Sequence, residues 1–271
     1  VKVPLARALS KLGIMSRTQA IEHILAGDVR VAGRVVRDPG YGIVPEIARI
    51  TIKDTHVEQQ PPVTILLHKP RGVVTTHSDP QGRTTVYDVV YREHGGLPGR
   101  PYVAPVGRLD LASSGLLVLT SDTRLSDWLL DPAHAIPRTY IVSVRGKLSD
   151  ETISQLEHGI RDRGELLRPS RIALLKRSGR ETHLRVELIG GKNRELRRLF
   201  AACHHEVTRL TRVAFGGLEL GRLAPGEWRI VRPEELIRLF PGAPVRSQIP
   251  SGLAHSRAAE TQRRREKVRA L

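Results

Sequence analysis

Apolar residues along this chain switch repeatedly between a period of two and a period near 3.6. That irregular switching constrains the fold more than any other feature. Strand-like runs recur at Thr64–Leu67, Gly115–Thr120, Tyr140–Val144, Leu184–Ile189, Val207–Val213 and Trp228–Val231. Between them, Leu125, Trp128 and Leu129 share a helical face behind Asp122, whose carboxylate suits a helix cap. Leu196, Leu199, Phe200 and Cys203 fall at i, i+3, i+4 and i+7 of another helix. A doubly wound sheet requires strands and helices in regular alternation. The spacing here lacks that rhythm and predicts an α+β fold.

Residues 1–53 read as a separate, smaller module. Leu5, Leu9 and Leu12 share one helical face, and Gly13 can end that helix. Ser16 suits the cap of a second helix, whose inner face is predicted to carry Ala20, Ile21, Ile24 and Leu25, with Gly27 closing it. Asp28–Val36 reads as a hairpin turning at Ala32-Gly33, and Ile50–Ile52 as a last short strand. Residues 54–62 are polar, end in Pro61-Pro62 and form a predicted linker to the large segment 63–240. Residues 241–271 carry few large apolar side chains and include Arg263-Arg264-Arg265, the signature of a disordered basic tail.

Charge narrows the partner. The 271 residues include 44 Lys and Arg against 28 Asp and Glu, a formal net charge of +16. The excess is distributed: 9 basic against 4 acidic residues in 1–53, 28 against 22 in 54–240, and 7 against 2 in 241–271. Such an excess implies a polyanion, either nucleic acid or an anionic membrane surface, and favours nucleic acid. Apolar runs are strand-sized, too short to span a bilayer. The single cysteine, Cys203, cannot form an intramolecular disulfide, and no long apolar segment marks a signal peptide. A soluble cytoplasmic protein is the expectation.

Several motifs fail on inspection. Gly190-Gly191-Lys192-Asn193 lacks the first glycine and the terminal Ser/Thr of a phosphate loop, because Val186 and Asn193 stand there. Ser113 and Gly115 lack the first glycine of a nucleophile elbow, since Leu111 occupies it. Cys203-His204-His205 lacks metal-ligand spacing and a second cluster.

Three phrases survive. Val106-Gly107-Arg108-Leu109-Asp110 sets a carboxylate on a short loop before the apolar run Ser114–Thr120. Such a carboxylate suits a nucleophile or base held ionised by an arginine, and equally a cap or a salt bridge. Gly191-Lys192-Asn193-Arg194-Glu195-Leu196-Arg197-Arg198 has one apolar helical face, with its arginines projecting elsewhere. Those arginines suit phosphates, a buried carboxylate, or a plain solvated face. Pro137-Arg138-Thr139-Tyr140-Ile141-Val142 opens a strand with a tyrosine that suits either a flipped base or the core.

Taken together, these phrases resemble the RsuA/RluB type of pseudouridine synthase, which modifies uridines in ribosomal RNA. The likeness includes His68-Lys69-Pro70-Arg71-Gly72-Val73, Gly82-Arg83-Thr84-Thr85-Val86, Arg209-Leu210-Thr211-Arg212 and Leu223-Ala224-Pro225-Gly226-Glu227-Trp228-Arg229, and spans about Val63–Glu235. Residues 1–53 resemble the small RNA-binding domain of ribosomal protein S-four, through Gly13-Ile14-Met15-Ser16-Arg17 and Gly27-Asp28-Val29-Arg30-Val31-Ala32-Gly33. The resemblance implies a small N-terminal α/β RNA-binding module, then a synthase domain with a mixed, largely antiparallel central sheet flanked by helices. It implies that Asp110 is the essential aspartate, that Tyr140 packs against the target base and that Arg197 pairs with the aspartate. Arg17, Lys69, Arg71, Arg83, Arg108, Lys192, Asn193, Arg194, Arg198 and Arg212 are the expected RNA contacts. No metal and no cofactor is implied. The expected partner is ribosomal RNA or a ribosomal assembly intermediate, engaged by a monomer, with neither DNA nor membrane involved. The basic tail and the lack of another specialised insertion favour 23S over 16S RNA.

Other functions fit less of the chain. A non-catalytic ribosome-associated RNA-binding factor would not need Asp110, Tyr140 and Arg197 together. A glycosidase would need a second carboxylate in a comparable motif near Asp110. A DNA-binding regulator built on the N-terminal helices leaves 63–240 unexplained.

Overall fold

In the computed structural model, which describes residues 2–45, 47–57, 61–92, 97 and 101–245, the N-terminal residues close around a core of their own. They form β1 (Val3–Pro4), α1 (Leu5–Lys11), α2 (Arg17–Ala26), β2 (Val29–Val31), β3 (Arg34–Val35), β4 (Gly42–Ile43), β5 (Ile50–Ile52) and β6 (Thr55–His56). β1 pairs with β4, and the other strands form a sheet in the order β3-β2-β5-β6. Leu5, Leu9 and Leu12 are buried with Ile24, Val29 and Ile50. α2 starts on a reciprocal cap: the Gln19 N–H donates to Ser16 Oγ (3.1 Å), and the Ser16 N–H donates to Gln19 Oε1 (3.0 Å). The hairpin turns at Ala32 (φ 49°) and Gly33 (φ 82°), both in the left-handed region that a two-residue turn needs to match strand twist.

One expectation for this module fails. Ala20 and Ile24 are fully buried, but Ile21 and Leu25 are 39 % and 57 % exposed. Two short helices on a small sheet cover only a narrow stripe of α2, so the wider apolar face is left at the surface.

The rest of the described chain forms β7 (Thr64–Lys69), α3 (Val86–Tyr91), β8 (Ala104–Pro105), β9 (Ser114–Thr120), α4 (Thr123–Leu130), β10 (Arg138–Arg145), α5 (Asp150–His158), β11 (Ile160–Asp162), β12 (Glu165–Leu167), β13 (Arg171–Arg177), β14 (Glu181–Leu188), α6 (Glu195–Ala202), β15 (Val207–Phe215), β16 (Leu218–Glu219), β17 (Trp228–Ile230) and α7 (Pro233–Leu239). A nine-stranded sheet runs β13-β14-β10-β15-β9-β7-β17, with β8 added to β9 and β16 to β15. Its pairings are antiparallel except β9–β15, which is parallel and only two residues long. The α+β class and the mixed, largely antiparallel sheet are therefore as the sequence predicts.

Burial explains the different sequence textures of its strands. β7 and β9 are covered on both faces. Ile65, Leu67, Leu117 and Leu119 enter one core with α3, while Leu66, Leu116 and Val118 enter another with α4 and α7. Strands buried twice read as continuous apolar runs. β14 buries Thr182, Leu184, Val186 and Leu188 and turns the residues between them outward, so it alternates. A third core lies under β10, β14 and β15 against α5 and α6. The two units meet where the Tyr102 N–H donates to the Gly13 carbonyl (3.0 Å). Among the described residues no helix is long and apolar enough to cross a membrane. Residues 58–60 of the expected linker and 246–271 of the expected tail lie outside the described residues.

Candidate active site

Strand register brings four separate sequence phrases into one row across the sheet. Tyr140 on β10 is opposite Arg212 on β15, Arg212 is opposite Gly115 on β9, and Gly115 is opposite Lys69 on β7. At about 4.8 Å per strand the row spans about 14 Å. Gly115 is the joint in this row. Its φ is 108°, and a Cβ there would lie 2.2 Å from the Arg212 carbonyl oxygen and 2.6 Å from the Arg212 nitrogen. Only glycine lets the two halves of the sheet approach this closely.

The loop before β9 carries Asp110, and the row's residues and their neighbours pin it. Five consecutive carbonyls are each satisfied. Leu109 accepts the Thr75 hydroxyl (2.9 Å), Asp110 accepts the Ser113 N–H (3.0 Å), and Leu111 accepts the Gly72 N–H (2.8 Å). Ala112 accepts Arg197 Nη2 (3.2 Å), and Ser113 accepts Lys69 Nζ (2.8 Å). The backbone is fixed through every peptide from 109 to 113. The half-exposed Asp110 carboxylate makes no hydrogen bond or ion pair with the described residues.

Two buried or half-buried cations face that carboxylate. Lys69 is completely buried, and its ammonium also donates to the Pro70 carbonyl (2.9 Å). Burial lowers its pKa to about 8, against which the charge of Asp110 acts in the opposite direction. Arg197 donates Nη1 to the Val207 carbonyl (3.1 Å), while its Nε is buried without a partner. Burial lowers its pKa and the neighbouring Arg194 and Arg71 guanidiniums lower it further, while Asp110 opposes them. The expected direct Asp110–Arg197 ion pair is not made. Arg197 reaches the aspartate's loop through the Ala112 carbonyl instead, and acts on the carboxylate through space.

Tyr140 packs between the core under β10 and the core around α3. It follows a bulge between Thr139 and Tyr140 in the pairing with β15, a feature that re-aims a side chain. Its hydroxyl bonds none of the described residues.

Two of the expected RNA contacts are corrected by the structure, and two more are already paired with carboxylates. Lys69 and Arg212 are buried, Arg212 with Nε on the Leu116 carbonyl (2.7 Å) and its guanidinium over the Phe215 ring. Neither can reach RNA from there. Arg83 is clamped by Asp79 through Nε (2.9 Å) and Nη2 (2.6 Å). Arg198 holds Asp162 (2.6 Å) and Glu165 (2.7 Å), tying α6 to the β11–β12 hairpin. The amphipathic pattern of α6 could not distinguish an arginine aimed at RNA from one aimed at a hairpin that the sequence did not reveal. Arg17, Arg71, Arg108, Lys192, Asn193 and Arg194 are exposed.

Two further residues shape the site. Thr75 buttresses the Asp110 loop from both sides, since its hydroxyl also accepts the Leu109 N–H (3.4 Å); a single threonine on a loop carries no sequence signal for this. Glu195 is buried at the start of α6 and accepts the Lys192 N–H (3.1 Å), and burial raises its pKa. This bond folds the Lys192–Arg194 turn, where Arg194 takes a left-handed φ of 48°.

Comparison with known proteins assigns a family to this arrangement. Residues 63–202 match the family described as RNA pseudouridylate synthase. The chain is 34 % identical over 241 residues to a protein of Aquifex aeolicus named an uncharacterized RNA pseudouridine synthase, covering 89 % of this chain and 94 % of that one. It is 35 % identical over 237 residues to the ribosomal large subunit pseudouridine synthase B of Bacillus subtilis, covering 87 % and 94 %. A crystal structure of a pseudouridylate synthase shares the fold with a TM-score of 0.59 at 25 % identity, over 88 % of this chain and 99 % of that one.

Proposed function

The chain belongs to the RNA pseudouridine synthase family, and from that premise we propose that Asp110 is its reacting carboxylate and a uridine of large-subunit ribosomal RNA its target. The observation that carries this reading is the Asp110 loop itself, whose five carbonyls from Leu109 to Ser113 are all held while the carboxylate is left free. A reacting group needs that preorganisation; a structural carboxylate would be among the bonded groups. The large-subunit assignment draws support from the Bacillus subtilis relative.

The isomerisation breaks the bond between N1 of uracil and C1′ of ribose, turns the base, and joins C5 to C1′. A proton leaves C5 and N1 gains one, so no redox change occurs. The ionised Asp110 initiates cleavage either by bonding to C1′ or by taking the 2′ proton to leave a glycal. Both routes use the same carboxylate, which Lys69 and Arg197 face. The target nucleotide must leave its stack, at a cost of a few kcal/mol. Stacking on Tyr140, worth about 1–3 kcal/mol, offsets much of that cost. The free Tyr140 hydroxyl is available to assist loss of the C5 proton.

Arg71, Arg108, Lys192, Asn193 and Arg194 grip the phosphates around the flipped nucleotide. Burial, and then the nearby Arg194 and Arg71 guanidiniums, lower the pKa of Arg197, which fits a cluster awaiting an anion. Arg17 and the exposed surface of residues 1–53 dock RNA farther out. The test is incubation of the purified protein with unmodified 23S and 16S transcripts, followed by pseudouridine mapping at single-nucleotide resolution. One modified position in 23S RNA is expected. Modification confined to 16S RNA overturns the subunit assignment, and no pseudouridine in either overturns ribosomal RNA as substrate.

A further inference from the structure

A second basic concavity lies at the opposite end of β10 from Tyr140. It has a volume of about 540 Å³, and Arg145, Lys176, Arg180, Glu181, His183 and Thr208 line it. Arg145 and Tyr140 are five residues apart on one strand, about 17 Å at 3.3 Å per residue. Nothing in the catalytic arrangement uses these groups.

The acidic groups here are already engaged. Glu181 Oε1 accepts the Thr208 hydroxyl (2.8 Å), and its Oε2 lies 3.7 Å from His183 Nε2. Glu206 accepts Arg145 Nε–H (2.7 Å). Lys176 and Arg180 are exposed, and among the described residues neither has a carboxylate within 4.0 Å. They stand on a fixed support. In the turn that joins β13 to β14, the Ser178 hydroxyl donates to the Glu181 carbonyl (2.9 Å), and the Gly146 N–H donates to the Arg180 carbonyl (2.8 Å). Two unpaired cations on a rigid hairpin are preorganised for an anion.

The surroundings indicate a chain of anions rather than one. Ser143 on β10 is opposite both His183 and Arg209, and Ile141 is opposite Arg185. Arg209 and Arg185 are exposed. A basic track therefore runs along β10 from the cavity on the solvent face of the sheet, the face opposite the core against which Val142, Val144 and Tyr140 pack.

We propose that this cavity is a second RNA-docking site, which seats a backbone phosphate of the ribosomal RNA flanking the target while the target nucleotide occupies the Asp110 site. The inference rests on ribosomal RNA as substrate, but its readout is binding and does not require turnover. The test compares the full-length protein with Lys176→Ala/Arg180→Ala, and with the charge-conserving Lys176→Arg/Arg180→Lys, in filter binding to a 23S transcript between 50 and 200 mM salt. Loss of that phosphate contact lowers the salt slope by about 0.7–0.9. Over that fourfold change in salt, the affinity of the alanine variant is expected to fall about threefold less than that of the wild type. The charge-conserving variant is expected to retain the wild-type slope. Equal slopes for all three proteins, with thermal melts showing each folded, overturn the proposal. So does protection of the wild type, but not the alanine variant, by inorganic phosphate in a thermal melt with RNA binding unchanged, which would assign the cavity to free anions. If the slope falls while no pseudouridine forms on any transcript, the docking site stands and the substrate reading fails.

Discussion

Replacing Lys69 with methionine separates the charge of that side chain from its shape. The ammonium is fully buried and its pKa is lowered from 10.5 to about 8. At about 1.4 kcal/mol per unit, holding the charged form in the folded protein costs about 3 kcal/mol at neutral pH. Against that cost stand hydrogen bonds to the Pro70 and Ser113 carbonyls, and an acceptor stripped of its donor loses about 1–3 kcal/mol. The two effects nearly cancel, so Lys69→Met is expected to lower stability at pH 7 by no more than about 2 kcal/mol. The balance shifts with pH. The folded-state pKa lies below the unfolded value, so the unfolded chain binds more protons between about pH 8 and 10.5, and wild-type stability gains from this group as pH rises through that window. The methionine variant has no such gain. Urea melts at pH 7 and pH 10 are expected to show the gap between the two proteins widening by roughly 2–3 kcal/mol. Other titrating groups are common to both and drop out of the difference. Turnover is expected to fall about tenfold or more, because Asp110 loses one of its two cations and the Ser113 carbonyl its anchor. A gap that stays constant between pH 7 and pH 10 would refute the buried ammonium, and undiminished turnover would refute its role at the carboxylate.

Two other substitutions test the joint and the phosphate grip. Gly115→Ala places a methyl group against the Arg212 backbone, which cannot move without parting β9 from β15; a loss of about 3 kcal/mol or more is expected, read as a lower melting temperature, and an unchanged one would contradict the close approach. Arg194→Ala is expected to reduce the salt slope of RNA binding by about 0.7–0.9, whereas Arg83→Ala, already clamped by Asp79, is expected to leave it unchanged.

Much of this arrangement was legible in the sequence because periodicity and caps are local. The Ser16 cap, the Ala32-Gly33 turn and the apolar strand runs of β7 and β9 follow from neighbouring residues alone. What the sequence could not show is which long cations end inside. Lys69 and Arg212 look like surface groups by composition, yet both sit in the cross-strand row that only register reveals. Likewise β13, with its bulge near Leu174 and mostly exposed side chains, has no clean alternation. The short β11–β12 hairpin that captures Arg198 carries too few apolar residues to declare itself. Asp110 was visible as a carboxylate on a short loop; the five held carbonyls beneath it were not.

The central claim is that one carboxylate on that loop performs the reaction, and Asp110→Asn tests it most directly. The change keeps size and backbone bonds and removes the charge. Purified wild type and variant would be compared on the same unmodified 23S transcript, by pseudouridine mapping under single-turnover conditions and by RNA binding. The wild type is expected to modify its uridine, and the variant to form no detectable pseudouridine while binding RNA within about twofold of wild type. Pseudouridine formed by the variant at the wild-type rate would remove Asp110 from the chemistry.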